Sequence, residues 1–156
     1  MKLSDLLTEA GISVSLAAAD KRGVIEELVD LLITSAGDVI TDRDAIIKAV
    51  WEREELMSTG IGQGVGIPHA KTNAVNRLHA VFAKSQKGID FSALDGKSVH
   101  LFFLLIAPED QSGPHVKALA RISRLLKQSY FRQALIDAAK SADVLTIIRE
   151  EEFKSA

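Results

Sequence analysis

The run Val99–Ile106, VHLFFLLI, constrains this chain more than any other segment. The most apolar stretch, Leu101 to Ala107, falls far short of the ~20 residues that a membrane-spanning helix needs. A short, continuous apolar run of this kind reads as a buried strand. A second strand signal lies at Leu78 to Phe82, and Asp95-Gly96 between them is a turn signal.

Helical stripes surround these strands. Ser4 caps a short helix that stops at Gly11, and the alternation Ile12-Ser13-Val14-Ser15-Leu16 reads as a further strand. Asp20 caps a helix whose stripe is Val24, Ile25, Leu28, Val29, Leu31 and Leu32, and Gly37 ends it. Thr41 with Asp44 resembles a capping box before a helix that buries Ala45, Ile46, Ala49 and Val50 and runs into Glu52-Arg53-Glu54-Glu55. Gly113-Pro114 opens a helix with Val116, Leu119, Ala120, Ser123 and Leu126 on one face. Leu135, Ile136 and Ala139 belong to another helix, and Val144, Leu145, Ile147 and Ile148 to the last. The expected fold is α/β, a small mixed β-sheet flanked by helices on both sides. With no linker or repeat in its 156 residues, the chain reads as a single domain over 1–156.

Composition narrows the chemistry. The absence of cysteine removes disulfides, thiol nucleophiles, iron–sulfur clusters and thiolate zinc sites. Lys plus Arg number 19 and Asp plus Glu 21, a net charge of −2 that gives no footprint for nucleic acid or an anionic membrane. The N-terminus MKLSDLLTEAGIS lacks the apolar core and cleavage site of a signal peptide, so a cytoplasmic protein is expected, with no direct membrane insertion. Chemistry near neutral pH falls to the four histidines, His69, His79, His100 and His115.

The stretch STGIGQGVGIPHAKTNA sets glycines at 60, 62, 64 and 66 before Pro68-His69. It fails the dinucleotide fingerprint in every register, because Val65, Ile67 or His69 stands where the third glycine belongs. Gly96-Lys97-Ser98 lacks the first glycine of a phosphate-binding P-loop, since Phe91 occupies that place. With both nucleotide motifs failing and no two histidines three or four apart, the spacing of a helical metal site, no cofactor and no metal is expected, a zinc site from scattered histidines being the lesser alternative.

Among the histidines, His100 lies inside the apolar run and His79 opens a strand, and both read as structural. Pro68 fixes its own φ and holds Ile67 extended, so the backbone entering His69 is stiff. The glycines before it allow a phosphate to approach main-chain N–H groups. The residues alone leave two readings for His69, an exposed nucleophile or a surface turn. His115 falls in the first turn of its helix, where the dipole disfavours imidazolium and favours anions. It reads either as a solvated first-turn residue or as a neutral partner to an anion site.

The segment Glu54 to Ala70 is similar to the signature of the phosphotransferase-system (PTS) IIA domains of the fructose/mannitol class. Glu54, Ile61, Gly62, Val65, Ile67, Pro68, His69 and Ala70 fit the pattern, and Gly66 departs from the usual alanine. GIDFSALDG with VHLFFLLIAP resembles the family's central hairpin and strand, and GPHVKALARISRLL the helix carrying its second histidine. The resemblance runs from about Leu3 to Glu152 and implies the EIIA type-2 fold.

It also implies roles. His69 matches the histidine that takes a phosphoryl group from the phosphocarrier HPr and passes it to an EIIB domain in sugar uptake, a phosphotransferase activity. His115 matches the supporting histidine. Arg53 and Thr59 fall at positions for a phosphate-binding arginine and threonine. Taken alone, the arginine reads as a solvated ion-pair residue and the threonine as a cap. The alternative function is a nitrogen-regulatory EIIA protein, whose phosphohistidine is a signal to target proteins. Such a relay suits histidine: neutral imidazole is nucleophilic and its P–N bond is labile, so transfer needs in-line approach and charge stabilisation.

Overall fold

The computed structural model describes residues 2–36, 40 and 42–154. In chain order the elements are α1 (Leu3–Leu6), a 3-10 turn (Glu9–Gly11), β1 (Ile12–Ser13), α2 (Lys21–Ala36), α3 (Arg43–Leu56), β2 (Gly60–Gly62), β3 (Val65–Gly66) and β4 (His69–Lys71). β5 (His79–Ile89), β6 (Val99–Ala107), α4 (Ser112–Leu125), α5 (Ser129–Asp137) and α6 (Ser141–Lys154) complete it.

The apolar run is β6, at the centre of a sheet ordered β1-β5-β6-β3-β2, with β4 also paired to β6. β5 is antiparallel to β6, setting Phe82 opposite Phe103. β3 and β4 lie parallel to β6 end to end, with Val65 opposite Leu101 and His69 opposite Leu105. The sheet is therefore mixed. Leu101, Phe103 and Leu105 pack with Ile122, Leu125, Phe131, Leu135, Val144 and Ile148 from α4, α5 and α6. Phe102, Leu104 and Ile106 face Val24, Ile25, Leu28, Ile46 and Val50 from α2 and α3. Coverage of both faces explains why β6 is apolar without alternation, and helices flank the sheet on both sides as expected.

Several boundaries differ from the sequence pattern, each through a distant partner. β5 does not stop at Phe82 but continues through Lys84 to Ile89. Lys84 is tolerated in the buried strand because its Nζ donates to the carbonyls of Ile136 (2.8 Å) and Ala138, at the end of α5. Those carbonyls have no intrahelical donor, so the lysine acts as a helix cap from another element. β1 is shorter than the alternation suggests, ending at Ser13, although the Leu16 amide still donates to the Lys84 carbonyl at 3.0 Å. Asp20 caps α2 as expected, its Oδ1 accepting from the Gly23 amide at 2.7 Å. Gly37 and Thr41 lie outside the described residues, and Asp42 caps α3 by accepting from the Ala45 amide at 3.1 Å.

The helix expected from Ser4 to Gly11 is instead α1 followed by the 3-10 turn. Ser4 is not its cap. The buried Glu152 carboxylate of α6 accepts from the Leu3 amide at 2.7 Å and the Ser4 amide at 2.8 Å, with Arg121 3.6 Å away. Glu152→Ala leaves both amides without that acceptor, and the expected cost is about 1–3 kcal/mol. Urea unfolding with an unchanged slope checks it.

The buried face of α4 is shifted from the expected one. Leu126 is buried and Leu119 packs on the core as expected, but Val116 is 61% exposed and His115, Ile122 and Leu125 point inward instead. Both sets have helical spacing, and only the tertiary partner selects between them. That shift turns His115 toward the sheet. In α5, Phe131 and Leu135 are buried, while Ile136 is exposed and Ala139 lies past the helix end.

Candidate functional site

The glycine-rich stretch forms strand, turn and strand rather than an open phosphate loop. Gly62 (φ 102°), Gln63 (φ 58°) and Gly64 (φ 77°) make the turn from β2 to β3, a conformation that glycine adopts without a Cβ penalty. The Gln63 amide already donates to Asp95 Oδ2 at 3.1 Å. A Cβ at Gly60 would stand 2.9 Å from the Ala93 backbone, so this glycine permits close packing. Gly66, where alanine is usual, faces Phe102 and Val99, whose atoms would lie 3.2–3.3 Å from an added Cβ. Phe102 and Val99 thus stand close against the space an alanine methyl would need.

Past this turn the chain joins β6 again. The Pro68 carbonyl accepts from the Leu105 amide at 3.1 Å, and His69 opens β4 with its side chain on the α4 side of the sheet. The half-buried imidazole bonds through Nδ1 to the Ile67 carbonyl at 2.7 Å. A carbonyl oxygen only accepts, so Nδ1 carries the proton and Nε2 keeps its lone pair. Burial lowers the His69 pKa most, opposed by the Ile67 bond; Arg53 lowers it further and Glu54 raises it. The ring is therefore neutral at neutral pH.

His115 comes from α4, where Ser112, not Pro114, is the first helical residue. Its amide already bonds to the Gln111 carbonyl at 3.2 Å. The side chain is 5% exposed, and its ring centroid stands 5.5 Å from that of His69 at 55° between planes. Burial first, then His69 and Lys71, push its pKa down to about 4. Its Nε2 is buried without a hydrogen-bond partner among the described residues, as is that of His79, but at His115 the unpartnered ring stands beside the His69 imidazole.

The other two expected residues are placed differently. Arg53 donates to the Met57 carbonyl at 2.8 Å, capping α3, while its charge is felt at His69. Thr59 is buried, its hydroxyl donates to Glu54 Oε2 at 2.6 Å, and its amide to Oε1 at 2.8 Å. The hydroxyl proton expected to face a phosphate is engaged by Glu54 instead. Sequence reasoning missed Lys71, two residues along β4 on the His69 side, whose Nζ donates to Ser112 Oγ at 3.1 Å. The i, i+2 spacing from the histidine in a strand was the available signal.

Of the remaining histidines, His100 donates from Nδ1 to the Ser85 carbonyl at 3.0 Å and packs against Gly88. His79 is buried, its pKa pushed down to about 4 by burial and then by Arg77. His79 and His115 thus stay neutral when folded down to about pH 4, whereas in the unfolded chain they protonate near 6.5. The unfolded state binds more protons in that window, so stability rises with pH from about 4 to 6.5 and is lost on acidification through it. His79→Leu is expected to flatten this slope by about one proton, without changing phosphate chemistry. Urea titrations from pH 7 to 4 measure it.

A mixed sheet with one imidazole at the start of a parallel strand, faced by a second from the next helix, defines a domain built around paired histidines. The chain belongs to the family "Phosphoenolpyruvate-dependent sugar phosphotransferase system, EIIA 2", whose model matches residues 5–151. It is 38% identical over 152 residues to the PTS system fructose-specific EIIABC component of Bacillus subtilis, covering 97% of this chain and 24% of that protein. The chain thus spans about a quarter of that relative. It is 41% identical over 139 residues to the PTS system fructose-specific EIIA component of Haloferax volcanii, covering 89% of each. It is also 36% identical to the nitrogen regulatory protein of Bradyrhizobium diazoefficiens, covering 81% of each.

Among solved structures, the nitrogen regulatory protein IIA-Ntr of Neisseria meningitidis superposes with a TM-score of 0.86 at 28% identity, covering 94% of this chain and 98% of that one. The mannitol enzyme IIA of Escherichia coli, solved in complex with phosphorylated mannitol enzyme IIB, shares the fold with a TM-score of 0.78 at 18% identity, covering 92% and 97%. The family includes both sugar-specific and nitrogen-regulatory members. No helix among the described residues is long and apolar enough to cross a membrane.

Proposed function

We propose that this chain is a phosphoryl relay of sugar uptake, in which His69 Nε2 takes a phosphoryl group from an HPr-type phosphohistidine donor and passes it to an EIIB domain. The single observation that carries this reading is the His69 Nδ1–H bond to the Ile67 carbonyl, which leaves Nε2 as the lone-pair nitrogen beside His115. The donor ring carries a proton on its other nitrogen, so when its P–N bond breaks as the Nε2–P bond forms, it leaves as neutral imidazole. Nδ1 keeps its proton, so the phosphorylated ring gains a positive charge that the Ile67 carbonyl stabilises.

His115 faces the transferring group with a buried, unpartnered Nε2, and as an Nε2–H tautomer it donates to a phosphoryl oxygen. Arg53 and Lys71 add positive charge at the equatorial oxygens, where preorganised donors count most. Thr59 holds the scaffold rather than the phosphate. A cytoplasmic location fits this scheme, since donor and acceptor would both be soluble protein domains.

The lowered His69 pKa works in the same direction. Only neutral imidazole attacks, so phosphate acceptance stays level below the usual histidine pKa of 6.5 and falls once pH passes the lowered value. Initial rates from pH 8 to 5 check this, with a decline beginning above 6.5 as the contrary result.

The likeness to IIA-Ntr and to the Bradyrhizobium protein favours a second reading, a nitrogen-regulatory EIIA that signals by phosphorylation state. Labelled phosphate delivered from phosphoenolpyruvate through enzyme I and HPr separates the two. Rapid loss of label to a fructose- or mannitol-type EIIB domain supports transport. Retention against every EIIB tried, with binding of a regulatory target in one phosphorylation state only, supports signalling.

A further inference from the structure

The contacts that end at the His69 ring begin on the other side of the sheet. Glu54, in the last turn of α3, is 3% exposed, yet its carboxylate meets three donors. Oε1 accepts from the Thr59 amide at 2.8 Å and lies 3.0 Å from Lys21 Nζ; Oε2 accepts from the Thr59 hydroxyl at 2.6 Å. The Thr59 carbonyl then accepts from the Ile67 amide at 3.0 Å. The Ile67 carbonyl accepts from His69 Nδ1 at 2.7 Å.

Thr59 is therefore held at its amide, hydroxyl and carbonyl, and Ile67 at both its amide and its carbonyl. Pro68 removes the remaining freedom between Ile67 and His69. Lys21, the first residue of α2, completes the far end: its Nζ also stands 4.8 Å above the Phe91 ring, fixed between an anion and an aromatic face.

We infer that the Lys21–Glu54 ion pair is a positioning device for His69, clamping Thr59 and through it the Ile67 carbonyl that selects the Nδ1–H tautomer. Its catalytic consequence rests on the reading of His69 as phosphate acceptor, while its structural content does not. Neither Lys21 nor Glu54 touches the phosphoryl group; both act through Ile67. The carboxylate is needed because three donors converge on it. A glutamine offers one acceptor oxygen, so Glu54→Gln strands a donor and loosens Thr59. The Glu54 charge also raises the His69 pKa, opposing Arg53, so its loss lowers that pKa further.

Long-range proton–nitrogen NMR correlation of the imidazoles tests this in the unphosphorylated full chain. In wild type, His69 shows a protonated Nδ1 and a lone-pair Nε2. In E54Q the Nδ1–H population falls toward a mixture, the ring titrates at lower pH, and phosphate acceptance slows about tenfold, the effect of one hydrogen bond's energy on a barrier. K21M shifts the tautomer and slows acceptance in the same direction by less, without lowering the titration, since the Glu54 charge remains. T59V, which keeps the amide bond but loses the hydroxyl, shifts the tautomer partway, and T59S restores it. If E54Q does not fold, T59V and T59S decide. Folded E54Q or T59V with wild-type tautomer and titration overturns the inference. A wild-type protein that takes no phosphate from an HPr-type donor overturns the acceptor reading instead, and leaves the tautomer result standing.

Discussion

His69→Ala is expected to fold as wild type but to take up no phosphate from phosphoenolpyruvate, enzyme I and HPr, whereas wild type is expected to gain one acid-labile phosphoryl group. The loss is at least ~10⁴-fold, the scale seen when the attacking group itself is removed. The effect is this large because the geometry offers no substitute nucleophile. His115 is buried beside His69 with its pKa pushed down to about 4, its ring facing the His69 imidazole. His100 bonds to the Ser85 carbonyl against Gly88. Thr59 donates its hydroxyl proton to Glu54. Removing the small imidazole from a half-exposed strand end leaves the core on both faces of β6 intact. Intact-mass measurement before and after acid treatment reads the outcome, and equal uptake by the variant refutes the assignment.

The second large effect belongs to His115. His115→Ala keeps the fold, since Ile122 and Leu125 still anchor α4, but transfer to and from His69 slows by about 10²–10³-fold. That is the expected loss for one preorganised donor at the transferring group. The variant also removes a buried ring whose Nε2 has no partner, so it costs less stability than a comparable apolar truncation. Rapid-quench rates of phosphate gain from HPr and loss to an EIIB domain measure it. Wild-type rates in both directions would show that His115 is structural.

The sequence shows part of this plainly. β6 is legible because burial on both faces demands a continuous apolar run, and α2 and α6 because their apolar stripes match one buried face. His69 stands out through Pro68 and the signature around it. Other features depend on residues far apart in the chain. Glu152 reaches the first turn of α1 across 149 positions, so Ser4 looks like a cap and is not one. The strand signal stops at Phe82, yet β5 runs on through Lys84, which caps α5 from within the sheet. The stripe of α4 could face either way by spacing, and the sheet chose the face carrying His115. Thr59 looks available for a phosphate until the carboxylate five residues earlier is seen to accept its proton. Local pattern thus singles out His69, while the groups that orient its ring emerge only from tertiary contacts.

The central claim is that phosphate enters at His69 Nε2, with Nδ1 holding its proton against Ile67. Phosphorus–nitrogen coupling in the ¹⁵N-histidine-labelled, phosphorylated protein tests it most directly. A single coupled nitrogen, His69 Nε2, is expected, with Nδ1 still protonated. Coupling at His69 Nδ1, or at His115, His100 or His79, would contradict it.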